Sequence, residues 1–185
     1  MVLIAQFKNY YDMASALKNL SHYDDTKLPN AKELKFGIVV SDYHHNITHK
    51  LYEGCLETLL EHGAEEANIE VMQVPGTFEL VAGARILAGR HNSDAVICIG
   101  CVIRGETSHN DYINSAVAQG LATLSAMAGK AFIFGVLTPD TEAQAQDRAG
   151  GKHGNKGVEA AVAALRMAAL KKKKGQAKQK IGFGM

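Results

Sequence analysis

From residue 36 onward, short apolar runs alternate with longer stretches of helical period. Residues 36–40 form an apolar run of the kind that makes a strand buried on both faces. Asn46 then stands where it can cap a helix whose apolar residues Ile47, Leu51, Cys55, Leu59 and Leu60 share a face, and Gly63 stops it. Residues 69–74 predict a second strand, closed by Pro75 and Gly76. Residues 78–90 predict a helix with Thr77 as its N-cap, and 95–99 a third strand. After a polar loop, Ile113, Ala116, Val117, Gly120, Leu121 and Leu124 mark another helix, ended by Gly129. A fourth strand follows at 131–137, then a short helix capped by Thr141 that carries Gln144 and Arg148. Val158, Ala161, Val162 and Leu165 mark the last helix.

Four strand–helix alternations predict βαβ units and a parallel sheet covered by helices on both faces, with right-handed crossovers. Residues 1–34 show no sustained period beyond a short helix expected through 13–20, and read as an extension. The domain is expected over 35–170, and 171–185 read as a basic tail. The longest apolar runs are too short to span a bilayer, and no secretion signal is expected at the start. Three cysteines inside apolar or helical patterns fit buried thiols in a reducing cytoplasm rather than a disulfide framework.

The formal charge of +1 conceals an asymmetry. Six lysines (171–174, 178 and 180) lie in the tail with no acid, and setting them aside leaves 14 basic against 19 acidic side chains, a net of −5. An acidic body argues against a nucleic-acid-binding domain. The tail reads as a solvated, disordered terminus.

In open parallel sheets, ligands bind beyond the carboxyl ends of the strands, so the segments after each strand carry the candidate chemistry. The richest is Arg104 to Asp111. Gly105 permits close backbone approach there, amides near the helix start suit an anion, and His109 is the natural proton carrier. A plain surface loop is the competing reading. Between Asp147 and Gly157, Arg148, Lys152 and Lys156 sit among four glycines, which suits phosphate, with Arg148 as a bidentate clamp, or else a flexible connection. The likeness to a P-loop is superficial, because Lys156 lacks the glycine before it and the hydroxyl after it. Cys98 and Cys101, three apart on a strand, point to opposite faces and do not form a metal or redox pair. His44, His45 and His49 lack a matching carboxylate or thiol, and are expected to be solvent-exposed, one of them lining the site.

The motifs FGIVV at 36–40, VPGTFE at 74–79, GCVIRGETSH at 100–109 with DY at 111–112, FGVLT at 134–138, QAQDRAG at 144–150 and GNKG at 154–157 together resemble the lumazine synthase family. The resemblance covers about residues 36–170. It implies a flavodoxin-like three-layer sandwich with a four-stranded parallel sheet flanked by helices. It also implies condensation of 5-amino-6-ribitylaminouracil with 3,4-dihydroxy-2-butanone 4-phosphate to 6,7-dimethyl-8-ribityllumazine, phosphate and water, without metal or organic cofactor. By position it places Tyr43 on the pyrimidine ring. Thr77, Phe78 and Glu79 fall on the ribityl chain and ring, and Val102 and Ile103 on the ring pocket. Gly105, Glu106 and Thr107 fall on the phosphate, with His109 moving protons. Arg148 and Phe134 come from a neighbouring subunit, with Lys156 close by. His44 stands where the family often has asparagine, Val81 where it usually has proline, and Thr77 where many members have a smaller residue. The resemblance further implies a homo-oligomeric pentamer. The compact 150–157 connection lacks the insertion that blocks twelve pentamers from closing into a 60-subunit shell. Riboflavin synthase is the candidate partner, with neither nucleic acid nor membrane. An inactive shell or scaffold protein, and a flavin- or nucleotide-binding module, are the competing readings; the latter lacks a phosphate cradle after the first strand.

Overall fold

The structure, a computed structural model, describes residues 28–179 together with Ser21, Tyr23 and Asp24. The helix expected through 13–20 lies outside the described residues. Four strands, β1 (Phe36–Ser41), β2 (Ile69–Val74), β3 (Ala95–Cys101) and β4 (Ala131–Leu137), form one parallel sheet in the order β2-β1-β3-β4. Phe36 pairs with both Ile69 and Ala95, and Ala95 with Ala131. The strands therefore start level and release their carboxyl ends together at Ser41, Val74, Cys101 and Leu137.

The helices α1 (His45–Glu61), α2 (Leu80–Arg90), α3 (His109–Ala128), α4 (Glu142–Asp147) and α5 (Lys156–Gln179) cover both faces. On one face, α1, α4 and α5 bury Phe36, Ile38, Ile97 and Ile99 against Leu51, Leu59 and Leu165. On the other, α2 and α3 bury Val39, Val96 and Cys98 against Leu80, Leu87, Val117 and Leu121. Every residue of β1 and β3 is buried, the outcome expected of unbroken apolar runs in central strands. Each fully buried Leu or Ile contributes about 1.5–3 kcal/mol of transfer free energy. Cys98 and Cys101 belong to opposite cores, as their spacing predicts.

The structure corrects several local expectations. The N-cap of α1 is His44 in the left-handed conformation (φ 56°, ψ 46°), and Asn46 lies within the helix. Histidine, like asparagine and aspartate, is among the side chains that tolerate this conformation, which suits His44 to the position. Thr77 does not cap α2, whose N-cap is Glu79; its hydroxyl donates instead to the Cys101 carbonyl at 3.3 Å. β3 runs two residues past the expected end, and α3 begins at His109, which therefore opens the helix rather than sitting in a loop. The glycine-rich segment folds as a small antiparallel pair, β5 (Ala149–Gly151) with β6 (Gly154–Asn155). The lysine-rich run is helical through Gln179, with Lys171 paired to Asp94 and Lys172 to Glu33. Thr141 caps α4 as expected, its side chain accepting from the Gln144 amide while the Gln144 side chain reaches back to the Thr141 N–H.

Candidate functional site

The segments leaving the strands are held by hydrogen bonds that extend the sheet beyond its last residues. Asp42 N–H donates to the Val74 carbonyl (2.9 Å) and Tyr43 N–H to the Pro75 carbonyl (3.1 Å), which lays the chain after β1 against the turn after β2. Val102 N–H donates to Leu137 (2.9 Å) and Arg104 N–H to Pro139 (2.9 Å), tying the β3 and β4 exits in the same way. Thr77, 5% exposed, bridges the 75–79 turn to the end of β3.

These ties frame a cleft of about 800 Å³ on the α2/α3 side. Tyr43 and His44 come from the β1 exit, Thr77, Phe78 and Glu79 from the β2 exit, and Cys101, Val102 and Ile103 from β3. His109, Tyr112, Ile113 and Ala116 come from α3. The last four recur at helical spacing, so one face of α3 forms a wall whose first turn carries the imidazole. Tyr43, Phe78 and Tyr112 are 70, 58 and 73% exposed. Three open aromatic side chains around one cleft form a surface suited to a planar ring. Cys101 is only 2% exposed, and burial, reinforced by Glu142, pushes its thiol up to about 12; it is a neutral wall and not a nucleophile.

Gly105, Glu106 and Thr107 lie on the exposed loop leading to α3. A Cβ on Gly105 would meet nothing within 4 Å, so the space beside it is open to a ligand. Arg104 on the same loop pairs with Asp140 at 3.4 Å.

Phe134, Arg148 and Lys156 are not brought to this cleft within one chain. Phe134 is half-buried on the edge strand β4. Arg148 caps the end of α4, and Lys156 opens α5, in the layer on the far side of the sheet. There, Arg148 Nη1 donates to the His153 carbonyl (2.6 Å) and Nη2 to Glu159 Oε1 (2.6 Å), while Lys156 Nζ donates to Glu159 Oε2 (3.1 Å). The Lys156 N–H returns to the Arg148 carbonyl at 2.9 Å, closing the β5–β6 turn around the guanidinium.

The sequence reading assigned no part to Tyr112, Ala116 or Glu159. The first two could have been found by stepping one and two turns along the helix from His109. Glu159 had no signal, since an acid in the first turn of a helix is commonplace. His44 lines the cleft, and His45 and His49 stack on one another outside it (centroids 5.0 Å apart). Among the described residues no group of three His, Cys, Asp or Glu side chains is placed to hold a metal ion, and no helix is long and apolar enough to cross a membrane.

Comparison with known proteins bears on the whole of this framework. The family model described as 6,7-dimethyl-8-ribityllumazine synthase matches residues 33–172, from just before β1 into the lysine-rich part of α5. A protein of that name from Porphyromonas gingivalis is 54% identical over 160 residues, covering 86% of this chain and 99% of its own. Namesakes from Parabacteroides distasonis (53% over 155 residues, 84% and 97%) and Cytophaga hutchinsonii (55% over 157 residues, 85% and 98%) are similarly close. The match is continuous through the sheet, the cleft and the Arg148–Glu159 cluster, and the chain belongs to the 6,7-dimethyl-8-ribityllumazine synthase family.

Proposed function

We propose that the chain condenses 5-amino-6-ribitylaminouracil with 3,4-dihydroxy-2-butanone 4-phosphate, giving 6,7-dimethyl-8-ribityllumazine, phosphate and water, the penultimate step of riboflavin formation. The observation that carries this reading is the cleft. Its exposed aromatic side chains, its carboxylate at Glu79 and its imidazole at the start of α3 occur together in a chain of this family.

The reaction needs positioning and proton transfer more than strong electrophilic activation. The pyrimidine's 5-amino group attacks the ketone and loses water to form an imine. Loss of a proton then expels phosphate, and the ribitylamino nitrogen closes the ring with loss of a second water. Tyr43 and Phe78 flank the pyrimidine, Glu79 accepts from ribityl hydroxyls, and the Val102 and Ile103 backbone lines the ring edge. Thr77 acts through the turn that it ties to Cys101. His109 relays protons at the imine and elimination steps. The Gly105–Thr107 loop and the amides opening α3 receive the phosphate from one side, and Arg148 with Lys156 from the other.

Arg148 and Lys156 lie across the sheet from the cleft of their own chain, so we assign them, with Phe134, to the cleft of a neighbouring copy. A ring of five copies supplies every cleft in this way, and the compact β5–β6 connection leaves twelve rings free to close as a 60-subunit shell in the cytoplasm, with riboflavin synthase as its candidate partner. Sedimentation distinguishes a particle of roughly 1.2 MDa from a free ring of about 100 kDa.

Lumazine formation from the two substrates, followed by its absorbance, tests the reaction. We expect turnover in the parent and roughly hundredfold less in His109→Ala, the low end for a lost acid–base group because imine formation also proceeds unaided. A parent protein that assembles but makes no product is a scaffold. A variant within twofold of the parent removes His109 from the proton relay.

A further inference from the structure

We infer that Glu159 is a positioning residue for phosphate recognition: one carboxylate holds Arg148 and Lys156 as a single preassembled cationic fork. The inference rests on the phosphate role proposed above for Arg148. Its own basis is the geometry around Glu159.

Two cations close enough to share one phosphate repel one another, and two long side chains have many rotamers to lose on binding it. Glu159 addresses both difficulties. Its Oε1 accepts from Arg148 Nη2 at 2.6 Å and its Oε2 from Lys156 Nζ at 3.1 Å, so each oxygen serves one cation. The three side chains are only 19, 30 and 21% exposed for Arg148, Lys156 and Glu159, so this contact is shielded from solvent more than a surface pair would be. The His153 carbonyl takes Arg148 Nη1 at 2.6 Å. Two of the five guanidinium N–H donors are thereby used inside the chain, the plane of the fork is set, and three donors remain for a ligand. Glu159 sits three residues into α5 from Lys156, so its own position is fixed by the helix and not by a loop. The cluster keeps a net single positive charge while presenting two cationic heads. That arrangement binds a phosphorylated substrate through direction as much as through charge.

The test compares Glu159→Gln, which keeps shape but not charge, with Glu159→Ala, Arg148→Ala and the double variant Arg148→Ala/Glu159→Ala. We expect both Glu159 variants to raise KM for the phosphorylated ketone about tenfold, with kcat and KM for the pyrimidine within twofold of the parent. Inorganic phosphate alone, titrated calorimetrically into the assembled protein, should bind correspondingly more weakly. The double variant should be no worse than Arg148→Ala, because a residue that acts through Arg148 has nothing left to position. Equal weakening of both substrates, additive losses in the double variant, or a parent-like Glu159→Gln each overturn the inference. In all three cases an impaired Arg148→Ala leaves the phosphate role of Arg148 standing. A parent-like Arg148→Ala removes that role and this inference together.

Discussion

Cys55, Cys98 and Cys101 lie in the core, and their thiols respond to burial in one direction. Desolvation raises all three above the ordinary value of 9.0, with Cys101 pushed up to about 12 and helped by the charge of Glu142. In the unfolded chain the thiols ionise near 9, while in the folded chain they remain protonated. The stability tied to them is therefore fully present below pH 9 and is lost as pH rises toward the folded values. The slope is roughly 1.4 kcal/mol per pH unit for each thiol that ionises only on unfolding. Denaturant midpoints taken at pH 7, 9 and 10.5 should be level over the first interval and fall over the second, and Cys98→Ala should shallow that fall. A midpoint indifferent to pH above 9 contradicts the burial of these groups. That two of the cysteines face opposite cores is legible from their spacing of three on a strand. The role of Thr77 is not, because its hydroxyl bonds to the Cys101 carbonyl, 24 residues away in the chain. A threonine before an apolar helix suggests a cap equally well in either case.

The contact between α1 and α5 depends on the absence of a side chain. A Cβ on Gly157 would stand 1.7 Å from the Leu51 carbonyl oxygen, a backbone atom with no room to yield. Gly157→Ala must push the two helices apart and should cost about 3 kcal/mol, read as a melting temperature lower by roughly 10 °C. Gly105→Ala, whose added carbon meets nothing, should melt with the parent. A Gly157→Ala melt within two degrees of the parent would mean that the helices do not meet there. The sequence foretells the elements more securely than their ends. β2 and β4 run over 69–74 and 131–137 as expected, because turn formers or polar residues bound each apolar run. The start of α1 is misplaced because His44 takes a left-handed conformation that no hydrophobic period reveals. β5 and β6 escape notice because glycines carry no alternation for a pattern to follow. The candidate cleft is legible in the segments after β1, β2 and β3. The cationic cluster is legible as charge, and its carboxylate is not.

At the scale of the whole molecule, the sheet stands between the His109 cleft and the Arg148 cluster of the same chain. That separation has a genetic reading. If the cleft is shared between copies as proposed, a chain carrying His109→Ala still offers an intact Arg148 to its neighbour, and a chain carrying Arg148→Ala still offers an intact His109. Two alleles that are each defective should therefore complement when produced together. In rings assembled at random from equal amounts, about a quarter of the clefts draw both residues from the unaltered half of each chain, and the mixture should recover about a quarter of parental turnover. Mixing the two proteins after separate assembly should recover far less if rings, once formed, exchange subunits slowly. Placing both substitutions on one chain and co-expressing it with the parent gives the same distribution, about a quarter of the clefts fully intact, a quarter without both residues and half without one, although half of the chains are now normal. Activity then falls below the share of normal chains, and the doubly altered allele is partly dominant.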